Sequence, residues 1–172
     1  MNEETGGLFL QICRGRLEAN TSKLLDCLSS LPEEEIWMRP NSHSNSVGNL
    51  ILHLCGNARQ WIISGIGGPK DVRQRVQEFS QDAFYPKAEL EEMVRTTVRE
   101  ADQTLADFGP QSLVAERTIQ GFRVSCLEAI FSCVEHWSHH VGQVLYITKV
   151  VLDQDLGMTR LTQEGFNPNG GH

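Results

Sequence analysis

Long apolar runs are missing from this sequence. No stretch approaches the roughly 18 uninterrupted apolar residues of a membrane-spanning helix, and the longest candidate, Ile62 to Gly68, is broken by Ser64 and glycines. Positive charge is also scarce. Fifteen Lys and Arg stand against 22 Asp and Glu, a formal charge of −7. No basic cluster offers nucleic-acid phosphates the counterion exchange that drives such binding, so nucleic acid is not an expected partner. The same acidity disfavours anionic membrane surfaces. Met1-Asn2-Glu3-Glu4 puts no basic segment ahead of an apolar run, so the pattern of a secretory signal is lacking.

Paired cysteines are lacking too. The five cysteines (Cys13, Cys27, Cys55, Cys126, Cys133) are odd in number and form no Cys-x-x-Cys. That argues against a disulfide framework or a cysteine-rich zinc site, and for buried thiols in a reducing compartment, the cytoplasm. There is no Gly-rich phosphate loop and no Gly-x-Ser-x-Gly elbow. No histidine has a Glu three residues before it, which excludes the Glu-x-x-His pairs of di-iron bundles. A metalloprotease His-Glu-x-x-His would need Glu where this chain has Trp137.

What is there is helical period. Leu10, Cys13, Leu17, Leu24, Leu28 and Leu31 recur at helical steps and predict a helix over about Leu8 to Leu31. Pro32 and Glu33-Glu34-Glu35 read as a short helical turn with a solvated acidic start. The Pro-, Asn- and Ser-rich stretch from Arg39 to Ser46 is loop and supplies the cap of a second helix, Ser46 to Ser64. Gly65, Gly67, Gly68 and Pro69 close it, and Lys70 to Tyr85 reads as a long, partly helical connection. A third helix, Lys87 to Phe108, carries Leu90, Val94, Ala101 and Leu105, with Glu89 to Glu92 on its solvated start. A short hairpin is expected over Val114 to Val124 around Gly121. The fourth helix, Ser125 to Leu152, is the most periodic. Trp37, Trp61 and Trp137 are expected to pack in the core or at the ends. With 172 residues the chain forms one domain. Residues 1–158 are expected to make an all-α four-helix bundle, with 159–172 a flexible tail.

Three of the six histidines, His136, His139 and His140, fall within five residues. On a helix, positions i and i+4 share a face with Cβ atoms roughly 5–6 Å apart, so His136 and His140 can address one ion. His136 with His139 is a rival pair. With Ile130, Val134, Trp137, Val141 and Thr148 as the core stripe, His140 lies roughly 80° and His136 roughly 120° from its centre, on the same flank. His139 falls near the polar face, roughly 180° away, with Glu128 and Glu135. His53, at the edge of the Leu50-Leu54-Trp61 face of the second helix, is the candidate third ligand. Three imidazoles suit one divalent ion, zinc or nickel first and iron or copper next, and leave positions open. The plainer readings stand beside this one: His53 as a hydrogen-bonded structural histidine, and Cys55 and Cys133 as inert buried thiols rather than ligands.

The segments Ser46-Val47-Gly48-Asn49-Leu50-Ile51-Leu52-His53 and His136-Trp137-Ser138-His139-His140-Val141-Gly142-Gln143 resemble two motifs of the DinB (DinB/YfiT-like) family. These are a Ser-x-Gly-x-Leu-x-x-His helix and a His-x-x-x-His-x-Gly-Gln helix. The second is the more specific, and the order of elements is similar from Leu8 to about Leu156. The resemblance implies an up-down-down-up four-helix bundle, a homodimer, and a metal held by His53, His136 and His140, with His139 an additional neighbour. It also implies a metal-dependent enzyme in which a low-molecular-weight thiol, or water, is transferred to a small-molecule electrophile. Gln143 or Asn57 would support the ligands from behind. The competing expectations are a metal-stabilised binding or stress-response module without catalysis, and a helical dimer whose histidines are structural.

Overall fold

The computed structural model describes residues 2–80 and 84–157. The expected tail, 159–172, lies outside them. The first helix, α1 (Glu3–Ser30), starts five residues before the expected Leu8, because Asn2 caps it: its side chain accepts from the Thr5 amide at 2.8 Å, and Glu3 and Glu4 occupy the positive end of the helix dipole. Gly6 is in the extra turn for a packing reason. A Cβ there would meet Pro110 Cβ at 2.9 Å.

Past a 3-10 turn at Glu33–Glu35 comes α2 (Val47–Ala58), opened by a reciprocal cap. The Ser46 hydroxyl oxygen accepts from the Asn49 amide, and the Asn49 side chain accepts from the Ser46 amide. Two residues of the motif thus start the helix, and Gly48 leaves room for the Trp37 ring, which a Cβ would approach to 2.6 Å. The helix does not stop at Ala58. It widens into a π-helical turn, Arg59–Ser64, so the expected helix to Ser64 is present but changes its hydrogen-bond register midway. A connecting segment over residues 65–86 contains one helical turn, α3 (Arg75–Glu78). Then α4 (Lys87–Ala106) follows Pro86, burying Leu90, Val94, Thr97, Ala101 and Leu105.

A 3-10 turn at Pro110–Val114 leads to β1 (Glu116–Ile119) and β2 (Phe122–Ser125), paired antiparallel with Glu116 opposite Ser125 and Ile119 opposite Phe122. Gln120 and Gly121 form the tip with φ of 53° and 83°, the doubly left-handed geometry of a tight hairpin turn. Ile119 tucks against Gly65 at the end of the π-helical turn. The Ser125 side chain caps α5 (Cys126–Leu152) through the Glu128 amide.

Among the described residues the protein is therefore mostly helical with one small two-stranded sheet. Both α1 and α2 pack against α4 and α5 around a shared core. Trp137 sits fully buried in it with Leu17, Leu24, Leu28, Leu54 and Leu105, side chains that each contribute about 1.5–3 kcal/mol by leaving water. All five cysteines are buried, and none forms a disulfide. None of the helices among the described residues is long and apolar enough to cross a membrane. For function the decisive contact is α2 against α5, because it brings His53 to His136 and His140.

Candidate metal centre

His53 is buried on the second turn of α2, while His136 and His140 are half-buried one turn apart on α5. Each of the three offers a ligand-capable nitrogen, and these atoms lie within 4.8 Å of one another. The ring centroids are 4.4 to 5.1 Å apart and the rings stand nearly edge to face. His53 Nε2 is 2.9 Å from His136 Nε2. That is a hydrogen-bonding distance, and tetrahedral nitrogens about 2.1 Å from one ion lie about 3.4 Å apart, so a small opening of this pair would admit a shared divalent ion. Three neutral imidazoles with no carboxylate among them suit zinc and its later first-row neighbours. The cluster could hold a metal ion.

Neighbouring groups orient two of the three rings. Glu78 Oε2 is 2.9 Å from His53 Nδ1, and the carboxylate is also gripped by Arg73, Nε to Oε1 at 2.6 Å and Nη2 to Oε2 at 2.8 Å. Both side chains of this ion pair are over nine-tenths buried. Burial opposes ionisation of Glu78, but the Arg73 and then the His53 hydrogen bonds outweigh it and hold its pKa below the ordinary value. The ionised carboxylate accepts a proton-bearing Nδ1, which leaves His53 Nε2 as a lone pair aimed at the cluster. Arg73 Nη2 also lies 3.1 Å from His53 Nδ1. A guanidinium only donates, so this is two donors converging on one carboxylate.

At His140 the same selection is made by an amide. Its Nδ1 lies 2.7 Å from Gln143 Oε1, which can only accept, so Nδ1 carries the proton and Nε2 is free. The Gln143 amide nitrogen donates in turn to His139 Nε2 at 3.3 Å. His139 is exposed, as the helical wheel indicates, and its ring stacks edge-on to His140 without joining the cluster. Phe79 closes the other side, with its ring centroid 4.8 Å from that of His53. Burial first, then repulsion from His140 and His53, pushes His136 down to about 4, and burial lowers His140 against the opposing pull of Gln143. Both stay neutral, as ligands must be, at physiological pH.

Of the sequence candidates, His53, His136 and His140 come together and Gln143 backs one of them. The buried Oδ1 of Asn57 lacks a hydrogen-bond partner among the described residues, so it accepts from none of the imidazoles. Cys55 and Cys133 are fully buried, and desolvation raises both thiols to about 12. They are inert, not ligands in waiting. Sequence reading missed Arg73, Glu78 and Asn49. Asn49 is buried, and its amide donates to the carbonyls of Glu78 at 3.0 Å and Ser80 at 3.1 Å, pinning the connecting segment to α2. Its Oδ1 accepts from Arg39, whose guanidinium also donates to Phe79 O at 2.9 Å.

Helices in this arrangement bring an imidazole trio together between α2 and α5. Residues 4–164 match the family described as "Protein of unknown function (DUF1572)", and the chain belongs to that family. Its fold is similar to that of a conserved protein from Enterococcus faecalis, with a TM-score of 0.69 and 14% identity over 84% of this chain and 97% of that one. It is similar also to a DinB-like protein from Bacillus cereus, with a TM-score of 0.61 and 17% identity over 83% and 90% of the two chains. At these identities the likeness is one of fold. Among proteins of curated function none matches this sequence.

Proposed function

We propose that the protein binds one divalent metal ion through His53, His136 and His140, in an up-down-down-up four-helix bundle, and uses it to activate a small thiol or water toward an electrophile. The observation that carries this reading is a three-nitrogen cluster within 4.8 Å in which two members have their Nδ1 engaged away from it, His53 at Glu78 and His140 at Gln143. Structural histidines alone would not call for a buried carboxylate held by a buried arginine behind one of them.

A divalent ion held there would act as a Lewis acid, lowering the pKa of a thiol or water in a remaining coordination position. The chain's part is to hold three imidazoles together, with Glu78 orienting His53 and Gln143 orienting His140, and to keep one side accessible through the half-exposed His136 and His140. No cysteine of the chain is placed to supply the thiol, since all five are buried and their pKa values are raised by burial. A thiol substrate would therefore come from solution as a low-molecular-weight compound.

Elemental analysis of untagged protein tests the ligand set. About one metal per chain, lost in His53→Ala and in the double variant His136→Ala/His140→Ala, is expected. Absence of metal after reconstitution with zinc and with nickel would overturn the reading. Turnover of a thiol and an electrophile that His140→Ala abolishes would favour the enzyme over a non-catalytic metal-stabilised module.

A further inference from the structure

A separate cavity of about 730 Å³ lies between α2, its π-helical turn, the connecting segment and α4. None of the three histidines lines it, and it meets their surroundings only at Arg73 and Glu78. The size falls within the range of small-molecule sites. Its apolar lining comes from Leu52, Ile63, Met93 and Tyr85. The Cys55 thiol also borders it, but with its pKa pushed up to about 12 that thiol is not a nucleophile, so the cavity is built for binding rather than for thiol chemistry.

The charges around it are nearly all committed to one another. Arg59 donates to Glu100 at 2.8 Å, and Arg73 is locked to Glu78. Asp71 accepts from the Gln60 side chain and from the Arg73 amide. Lys70 is the exception, with no hydrogen bond or ion pair for its ammonium among the described residues. Two further features mark the cavity as formed in advance. The π-helical turn supplies Arg59, Ile63 and Ser64 to its wall, and such turns, which break the regular helical ladder, recur at functional sites. The opposite wall is held in place by Asn49 and Arg39, bonded to the backbone of Glu78, Phe79 and Ser80, and by Gln60, bonded to the Arg73 guanidinium.

We propose that this cavity binds a small amphipathic carboxylate, with its aliphatic part against Leu52, Ile63 and Met93 and its carboxylate at Lys70. The apolar lining supplies the driving force, and Lys70, whose ammonium has no hydrogen bond or ion pair among the described residues, supplies the preference for an anion. This site needs no metal, so it is tested on the metal-free full chain, and its failure leaves the metal reading untouched. Calorimetric titration with octanoate is the experiment, beside octylammonium (same tail, opposite charge) and acetate (same head, no tail). One octanoate per chain is expected, with octylammonium and acetate at least tenfold weaker. Lys70→Glu, an exposed change that the fold tolerates, should weaken octanoate tenfold or more. Ser64→Trp, which fills the cavity, should abolish binding while the helical circular dichroism is kept. No octanoate binding, equal binding of octanoate and octylammonium, or full affinity in Lys70→Glu would each overturn the proposal.

Discussion

At the scale of single residues, the position of one carboxylate governs the candidate centre. Glu78 can reach His53 only because α2 carries glycine at 56: a Cβ there would lie 2.1 Å from Glu78 Oε1 and 3.0 Å from Arg73 Nε. Both atoms belong to buried groups with little freedom to retreat. Gly56→Ala is therefore expected to push the carboxylate off His53, leaving the ring free to turn. Glu78→Gln keeps the shape but removes the charge, and it strands the Arg73 guanidinium in a site where it is 3% exposed. Removing one partner of such a buried pair costs about 3–5 kcal/mol. Loss of an orienting carboxylate weakens metal binding by about 10–100-fold. Zinc titration of Gly56→Ala and Glu78→Gln should show that loss in both, with a lowered denaturation midpoint in the second. Wild-type affinity in both would mean that Glu78 does not position His53.

At the scale of elements, the connecting segment supplies Arg73, Glu78 and Phe79 behind His53, with one helical turn among its described residues. Asn49 fastens it, and Asn49→Ala would leave the carbonyls of Glu78 and Ser80 and the Arg39 guanidinium without that partner, at about 1–3 kcal/mol for each buried group left unsatisfied. Amide exchange at residues near 78–80 should accelerate at least tenfold while α4 keeps its protection, and zinc affinity should fall with it. Unchanged exchange there would show that other contacts hold the segment. These elements also explain what was legible beforehand. The long helices announce themselves because burying one face forces apolar residues into a 3.6-residue period, and His136 and His140 inherit their shared flank from it. Pairing His53 with them needed only that α2 face α5. Glu78 and Arg73 carry no such period. Glu78 ends a single helical turn and Arg73 precedes it, both in a polar stretch, and their burial is created by α2 and Gly56 from outside, so the sequence around them reads as an ordinary solvated connector. The early start of α1 was hidden for a related reason: its first turn is made by a cap and by Gly6 under Pro110, not by an apolar stripe.

At the scale of the whole molecule, buried groups that refuse charge define the pH range in which the metal-free fold is most stable. His136 titrates near 4 in the folded state against an ordinary 6.5, and His140 is shifted the same way. Above 6.5 the ring is neutral in both states and contributes no slope. As pH falls from 6.5 towards 4, the unfolded chain takes up protons that the folded chain refuses, so stability drops across that window. Glu78, with its pKa lowered in the fold, adds a loss of the same sign below the ordinary carboxylate value of 4.5. On the alkaline side Cys55 and Cys133 hold their protons to about 12 against an ordinary 9, so stability falls again as pH rises past 9. A metal bound only by the folded state adds stability that grows with its free concentration over its dissociation constant. Protons compete for the same imidazole nitrogens, so that added stability should shrink on acidification. Denaturant midpoints of metal-free and zinc-saturated protein between pH 8 and pH 5 test both statements at once. The metal-free midpoint should decline below pH 6.5, and the gap between the two curves should narrow with it. A gap that stays constant over this range would mean the stabilising zinc sits on groups that do not titrate there, and not on the three histidines.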